Sequence, residues 1–272
     1  MDIAAKSASD LVDDLRRALG GSVVGLADEA RTTERTERRC PYKGLQAFGS
    51  ADAADYFGRD ALVDRLHDRV EKHRLVAVVG PSGSGKSSVI RAGLVPGLAD
   101  GPRPPVICEM YPGPYPFDSL ERALRSVAVD DVAIGDLLRD DHRGLARTID
   151  VVLPGDDVEL VLVIDQFEEL FAASVPEEVR SRFLDALVAA VSRDDSRLRV
   201  VLTLRADFFD RPLRYADFGS LVEAGLVPVG MPDVSELAAA IEGPAAAVGV
   251  RLEPGLVNEI VSDVADEPGG LP

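Results

Sequence analysis

The segment Gly80-Pro81-Ser82-Gly83-Ser84-Gly85-Lys86-Ser87 constrains this chain more than any other. It fits the spacing Gly-x4-Gly-Lys-Ser and follows directly on the apolar run LVAVV at 75–79. Glycines at those positions let the backbone curl so that successive N–H groups point inward at an anion. A helix opening after the loop adds unpaired N–H donors and the positive end of its dipole. Lys86 is then placed to reach the β- and γ-phosphates of a nucleotide, and the Ser87 hydroxyl to coordinate Mg²⁺. Four fixed residues in this pattern arise by chance in about one per cent of chains of this length, and the strand before and helix after make a ligand-free glycine turn a poorer reading still. Residues Gly80 to Ser88 are therefore the expected phosphate-binding set.

Past Pro41 the chain alternates short apolar runs with helical patterns. Runs at 75–79, 105–110, 160–164, 198–204 and, more weakly, 225–229 read as strands. Helix-like segments fall near 59–72, 87–94, 118–128, 177–193 and 234–247. Continuous apolar strands separated by helices imply an α/β fold, with a mainly parallel sheet covered on both faces. Upstream, Leu11, Val12, Leu15 and Leu19 make a helical stripe closed by Gly20 and Gly21. The charged tract from there to Arg39 reads as a linker. The expected division is 1–39 for that helix and linker, 40–230 for a nucleotide-binding domain, and 231–272 for a helical segment.

A nucleotide site needs a carboxylate at the end of a neighbouring strand to hold Mg²⁺ or its waters. The run VLVI at 161–164 ends in Asp165, a charge that burial penalises unless it is paired, and Mg²⁺ is such a partner. Gln166, Phe167, Glu168 and Glu169 follow, and an acid just past the metal carboxylate can polarise an attacking water. Glu168 and Glu169 remain equal candidates for that base, because one of them can be a helix-start charge. The fourth strand run closes on Thr203-Leu204-Arg205-Ala206-Asp207. Ligands of open parallel sheets sit off the carboxyl ends of the strands, so Arg205 can meet a γ-phosphate and tell ATP from ADP. The plainer alternative for Arg205 is an ion pair with Asp207 or Asp210.

These residues together resemble the STAND class of signal-transducing P-loop ATPases, most closely the bacterial branch usually joined to WD-type β-propeller repeats. The resemblance rests on CPYKGLQAFGSADAADYFGRD at 40–60, VVGPSGSGKSSVIRAGLVPGL at 78–98, VLVIDQFEELF at 161–171, VVLTLRADFFDRPL at 200–213 and PGLVNEIVSDVADEPGGLP at 254–272. Asp165-x-x-Glu168-Glu169 is similar to the NACHT form of the metal motif, with Glu168 in its second acidic slot. By resemblance alone, Tyr56-Phe57-Gly58-Arg59 implies a segment that holds adenine, with Phe57, Gly58 and Arg59 as contacts. Likewise Gly270-Leu271-Pro272 implies the motif that opens a helical and winged-helix region, with Pro272 packing on the base. The family implies a sheet order of 5-1-4-3-2, ATP or ADP with Mg²⁺ as cofactors, protein partners engaged through N- and C-terminal modules, and possible nucleotide-dependent self-association. The resemblance covers 40–272; residues before 40 match no pattern of the family.

The implied function is an ATP-binding switch reset by slow hydrolysis. A P-loop phosphotransferase and the ATPase module of a transcriptional regulator are the alternatives. Composition bears on the second of these. Lys and Arg total 30 against 47 Asp and Glu, a net charge of −17, which opposes direct binding to nucleic acid or to an anionic membrane surface through bulk charge. No apolar run approaches the roughly 18 residues of a membrane span, and the start MDIAAKSASDLVDDL lacks the build of a signal peptide. Two cysteines, Cys40 and Cys108, have no metal-ligand spacing and read as reduced thiols of a cytoplasmic protein.

Overall fold

The apolar runs pair into one five-stranded parallel sheet in this computed structural model, which describes residues 39–265 apart from 45, 129–132, 154 and 156. The helical stripe at 11–19, its linker and the Gly270-Leu271-Pro272 motif lie outside the described residues. The strands are β1 (Leu75–Gly80), β2 (Val106–Met110), β3 (Leu160–Ile164), β4 (Leu198–Arg205) and β5 (Leu226–Pro228). Their order, β2-β3-β4-β1-β5, is the expected 5-1-4-3-2 read from the other edge. Every residue of β1 and β3 is buried, which is why these strands are apolar throughout and not alternating.

Side-chain alternation splits the core between the two faces. Leu75, Ala77 and Val79 point into a large cluster under α4 (Pro116–Arg125), α5 (Ile134–Asp140), α6 (Gly144–Val152), α7 (Glu177–Val191) and α8 (Ala216–Ala224). Val76 and Val78 point to the other face. There they meet α1 (Asp60–Lys72), whose Leu62, Leu66 and Val70 make one buried stripe, and the helix that follows the phosphate loop. That helix is composite: α2 (Lys86–Ser88), a π-helical stretch (Val89–Leu94) and α3 (Val95–Ala99). A π-helical stretch lowers the backbone twist per residue and re-aims side chains, and it recurs at functional sites.

Beyond the sheet, α9 (Val234–Ala247) opens with a reciprocal cap between Asp233 and Glu236. It packs on α10 (Leu256–Ala265) through a small cluster of Leu237, Ile241, Ile260 and Val261. Three helices, α5, α6 and α8, occupy stretches where no helix was expected. The first two are short and broken at 141–143, and α8 carries a glycine, Gly219, against which the Leu213 backbone packs at 3.1 Å from where a Cβ would stand.

Candidate functional site

Strand register brings the motifs together. Gly80 lies opposite Arg205, and Ile164 lies opposite Leu202, so Asp165 and Thr203 emerge side by side at the carboxyl end of the sheet. Ser82, Gly83, Lys86, Ser87, Asp165, Gln166, Glu168, Thr203 and Arg205 line one open cleft of about 300 Å³ there. The loop reaches its curl through Gly83 and Gly85, with φ of 76° and 82°, a region in which a Cβ is penalised. The first helical bond runs from Val89 N–H to the Gly85 carbonyl at 2.9 Å. The N–H groups of Lys86, Ser87 and Ser88 thus belong to a first helical turn, which has no carbonyls upstream within the helix.

Lys86 curls back over the loop, donating to the carbonyls of Gly80 at 3.0 Å and Pro81 at 2.6 Å. Its partial burial pulls the ammonium below the usual lysine pKa, and the carboxylates of Glu168 and Asp165 oppose that shift. Both hydrogen-bond acceptors are backbone oxygens, so an incoming phosphate oxygen competes with neutral partners only.

Asp165 is 2% exposed and fully engaged. Its Oδ1 accepts from Ser87 Oγ at 2.8 Å, Thr203 Oγ1 at 2.6 Å and its neighbour's backbone, Gln166 N–H, at 3.0 Å. Oδ2 accepts from Arg91 Nη2 at 2.9 Å. Gln166 adopts a left-handed conformation, φ 54°, the only non-glycine residue with positive φ among the described residues. This turn is what directs its N–H back at Asp165 and at Thr203 Oγ1, 2.8 Å away. Such a backbone costs about 1–2 kcal/mol, held here by two hydrogen bonds.

The following 3-10 turn, Phe167–Phe171, sends successive side chains in different directions. Glu168 lines the cleft and accepts from the Arg205 N–H at 3.3 Å. Glu169 points away, toward β2, and accepts from the Gly113 N–H at 3.1 Å. Arg205 lines the cleft as well, but its guanidinium forms a two-bond fork with Asp207, at 3.0 and 2.8 Å, and lies 5.7 Å from the Phe208 ring centre. The ion pair weighed for Arg205 from sequence is therefore present, with Asp207 and not Asp210 as its partner.

The segment Tyr56-Phe57-Gly58-Arg59 runs against α9. A Cβ on Gly58, whose φ is 85°, would stand 2.2 Å from the Glu236 carbonyl oxygen, and a Cβ on Gly243 would stand 2.4 Å from the Phe57 ring. Arg59 donates to Glu236 Oε2 at 2.9 Å, to the Gly230 carbonyl at 2.8 Å and to the Ser84 carbonyl of the phosphate loop at 3.2 Å. It ties the loop to the first turn of α9.

Three positions bonded to Asp165 were not singled out from sequence: Arg91, Gln166 and Thr203. Thr203 is the one hydroxyl in the strand LRVVLTLR. Arg91 is the one charged residue of the apolar stretch Val89–Leu94, one turn past Ser87. Both signals were readable as polar groups placed where burial demands a partner. The expected counter-charge of Asp165 was Mg²⁺; the chain itself supplies Arg91.

The donor set would suit a hard divalent cation, since Ser87 Oγ and the Asp165 carboxylate are adjacent oxygens beside the loop at 80–87. Loop, strand-end carboxylate, sheet order and cleft define a P-loop NTPase fold. The chain matches the family model described as Novel STAND NTPase 1 over residues 41–272 and belongs to that family. The Walker-type ATPase PABY2304 of Pyrococcus abyssi superposes with a TM-score of 0.55 at 16% identity, covering 80% of this chain and 65% of that one. The Aeropyrum pernix ORC2 protein, in ADPNP–ADP complexes, superposes with a TM-score of 0.52 at 16% identity, covering 74% and 55%. A 48-residue stretch is 46% identical to a hemin import ATP-binding protein, HmuV, of Rhodopseudomonas palustris (strain BisA53), spanning 17% of this chain and 18% of that protein. The chain thus spans less than two thirds of the length of each of these relatives. Among the described residues no helix is long and apolar enough to cross a membrane.

Proposed function

We propose that this chain is the nucleotide-binding core of a larger ATP-driven switch that hydrolyses ATP slowly to reset itself. The observation that carries this is the convergence of Lys86, Ser87, Asp165, Glu168 and Arg205 on one cleft. That the Aeropyrum pernix neighbour was solved with ADPNP and ADP supports an adenine nucleotide as the ligand. The segment Gly80 to Ser88 wraps the phosphates, with Lys86 turning from its two carbonyls to the β- and γ-oxygens. Ser87 and Asp165 hold Mg²⁺, which when bound supplies neutralisation of the phosphate charge. Glu168 is the base that orients and deprotonates water, since it faces the cleft; Glu169 braces the loop after β2 through Gly113. Arg205 leaves Asp207 for the γ-phosphate, so Asp207 sets the threshold for sensing it. Phe57, Gly58 and Arg59 flank the base, and Arg59 passes the state of the loop to α9 through Glu236. Signal input, output and any self-association are assigned to other modules of the larger protein.

This reading favours a switch over a phosphotransferase because α9 is bonded directly to the phosphate loop through Arg59. Single-turnover hydrolysis of radiolabelled ATP tests the assignment of the base. Glu168→Gln is expected to slow hydrolysis by roughly 10²–10⁴-fold with ATP affinity nearly unchanged, and Glu169→Gln to leave the rate within a few-fold of wild type. Equal rates in Glu168→Gln and wild type would move the base elsewhere.

A further inference from the structure

Arg91 is bonded to a carboxylate of the cleft without lining the cleft itself, and the reading above leaves it without a role. It lies on the π-helical stretch Val89–Leu94, one turn past Ser87 on the same helix. The two residues divide Asp165 between them: Ser87 Oγ takes Oδ1 at 2.8 Å and Arg91 Nη2 takes Oδ2 at 2.9 Å. Asp165 is the more buried partner, its side chain 3% exposed against 21% for Arg91. Behind Arg91 stands a second acid. Glu109 of β2 accepts from Arg91 Nε at 2.6 Å and also from Nη2, the nitrogen that meets Asp165; the Tyr111 hydroxyl bonds to Nη2 as well. Two carboxylates, one on β2 and one just past the end of the neighbouring β3, therefore flank one guanidinium.

We propose that Arg91 is a built-in counter-charge for the metal carboxylate, a positioning residue that competes with a divalent cation for Asp165 Oδ2 and makes metal binding conditional on nucleotide. This rests on the reading of the cleft as a Mg²⁺–nucleotide site. The chemistry follows from the pairing. A buried carboxylate needs a cation or several donors, and Arg91 already satisfies that need, so a metal ion alone gains little by replacing it. The phosphates of a bound nucleotide add negative charge and further oxygen ligands on the metal side, which shifts the balance toward the metal. Remove the guanidinium and Asp165 keeps only its three Oδ1 donors while Glu109 loses its cation, which leaves two carboxylates that met one nitrogen as hard oxygen donors suited to a divalent cation without nucleotide.

The test measures binding of Mn²⁺ alone by the loss of its free-ion paramagnetic resonance signal, on the whole chain. Arg91→Met is expected to bind Mn²⁺ without nucleotide at least ten-fold more tightly than wild type. The double variant Arg91→Met/Glu109→Gln is expected to return close to the wild-type value, and Arg91→Lys to stay near it; a merely structural role would not move metal affinity in this pattern. Equal Mn²⁺ binding by folded Arg91→Met and wild type overturns the proposal. Should Arg91→Met fail to fold by circular dichroism, Glu109→Gln alone decides. It leaves Asp165 as the one carboxylate paired with Arg91 and is expected to raise the Mn²⁺ concentration needed for tight ATP binding several-fold; no change overturns the proposal. ATP calorimetry on wild type separates the two claims. Absent ATP binding with a gain of Mn²⁺ binding in Arg91→Met sinks the nucleotide reading and supports the counter-charge, whereas ATP binding without that gain sinks only the counter-charge.

Discussion

Thr203→Val examines how Asp165 is held, because the substitution keeps shape and removes only the hydroxyl. Thr203 is 1% exposed. Its Oγ1 donates to Asp165 at 2.6 Å and accepts from the Gln166 N–H at 2.8 Å. The first bond is to a charged acceptor and is worth about 1.5–3 kcal/mol. The second loss is softened, since Gln166 N–H retains Asp165 Oδ1 at 3.0 Å. The expected destabilisation is about 2–3 kcal/mol, which at roughly 2–4 °C per kcal/mol for a domain of this size lowers Tm by about 5–10 °C. Thr203→Ser keeps both bonds and loses a methyl group, a cost near 1 kcal/mol. Thermal unfolding followed by circular dichroism reads both variants. If Thr203→Val melts with or above Thr203→Ser, the hydroxyl bonds are not what holds Asp165, and the account of the left-handed Gln166 turn falls with them.

Two further outcomes are expected. Arg205→Ala removes the group assigned to the γ-phosphate and is expected to lower the ATP-to-ADP affinity ratio by about ten-fold or more, whereas Asp207→Asn, which frees the guanidinium from its fork, is expected to raise it; dissociation constants for both nucleotides decide, and an unchanged ratio in Arg205→Ala assigns γ-phosphate sensing to another group. Cys108 is buried and its thiol is pushed up to about 12, while Cys40 is exposed, so one thiol per chain is expected to react with a disulfide reagent at pH 8 and two after unfolding. The folded thiol holds its proton above the ordinary value of 9.0, so the stability linked to Cys108 is intact below pH 9 and declines as pH rises from there toward 12; two rapidly reacting native thiols would contradict this burial.

The sheet was legible because its central strands are apolar on both faces. The runs at 75–79 and 160–164 became β1 and β3 within a residue. That the loop at 80–87 and Asp165 would meet at the carboxyl end of the sheet was legible, because a phosphate site of the kind proposed demands particular residues at fixed spacing. What escaped was decided by side-chain direction. Sequence adjacency made Glu168 and Glu169 interchangeable; the 3-10 turn sends one to the cleft and the other to Gly113. Arg91 was hidden by its apolar neighbours, since its partners Glu109 and Asp165 lie on two strands that only the sheet order sets side by side. The π-helical stretch carrying it has no propensity signature of its own. Helices α5 and α6 were missed because each is too short for its periodicity to stand out, and their apolar residues are buried only in the cluster they share with each other, α4, α7 and the sheet.

The central claim, that this cleft binds a nucleotide through the phosphate loop, meets its most direct test in titration calorimetry of ATP with Mg²⁺ into wild type and Lys86→Ala. The loop's lysine is bonded only to backbone carbonyls of its own loop, so its removal is expected to leave the melting temperature nearly unchanged. The account predicts saturable binding at one site per wild-type chain and loss of about two orders of magnitude or more in affinity in Lys86→Ala, in keeping with the removal of a charged hydrogen-bonding partner. Equal ATP affinity in the two proteins, or no binding by wild type at millimolar ATP, would contradict it.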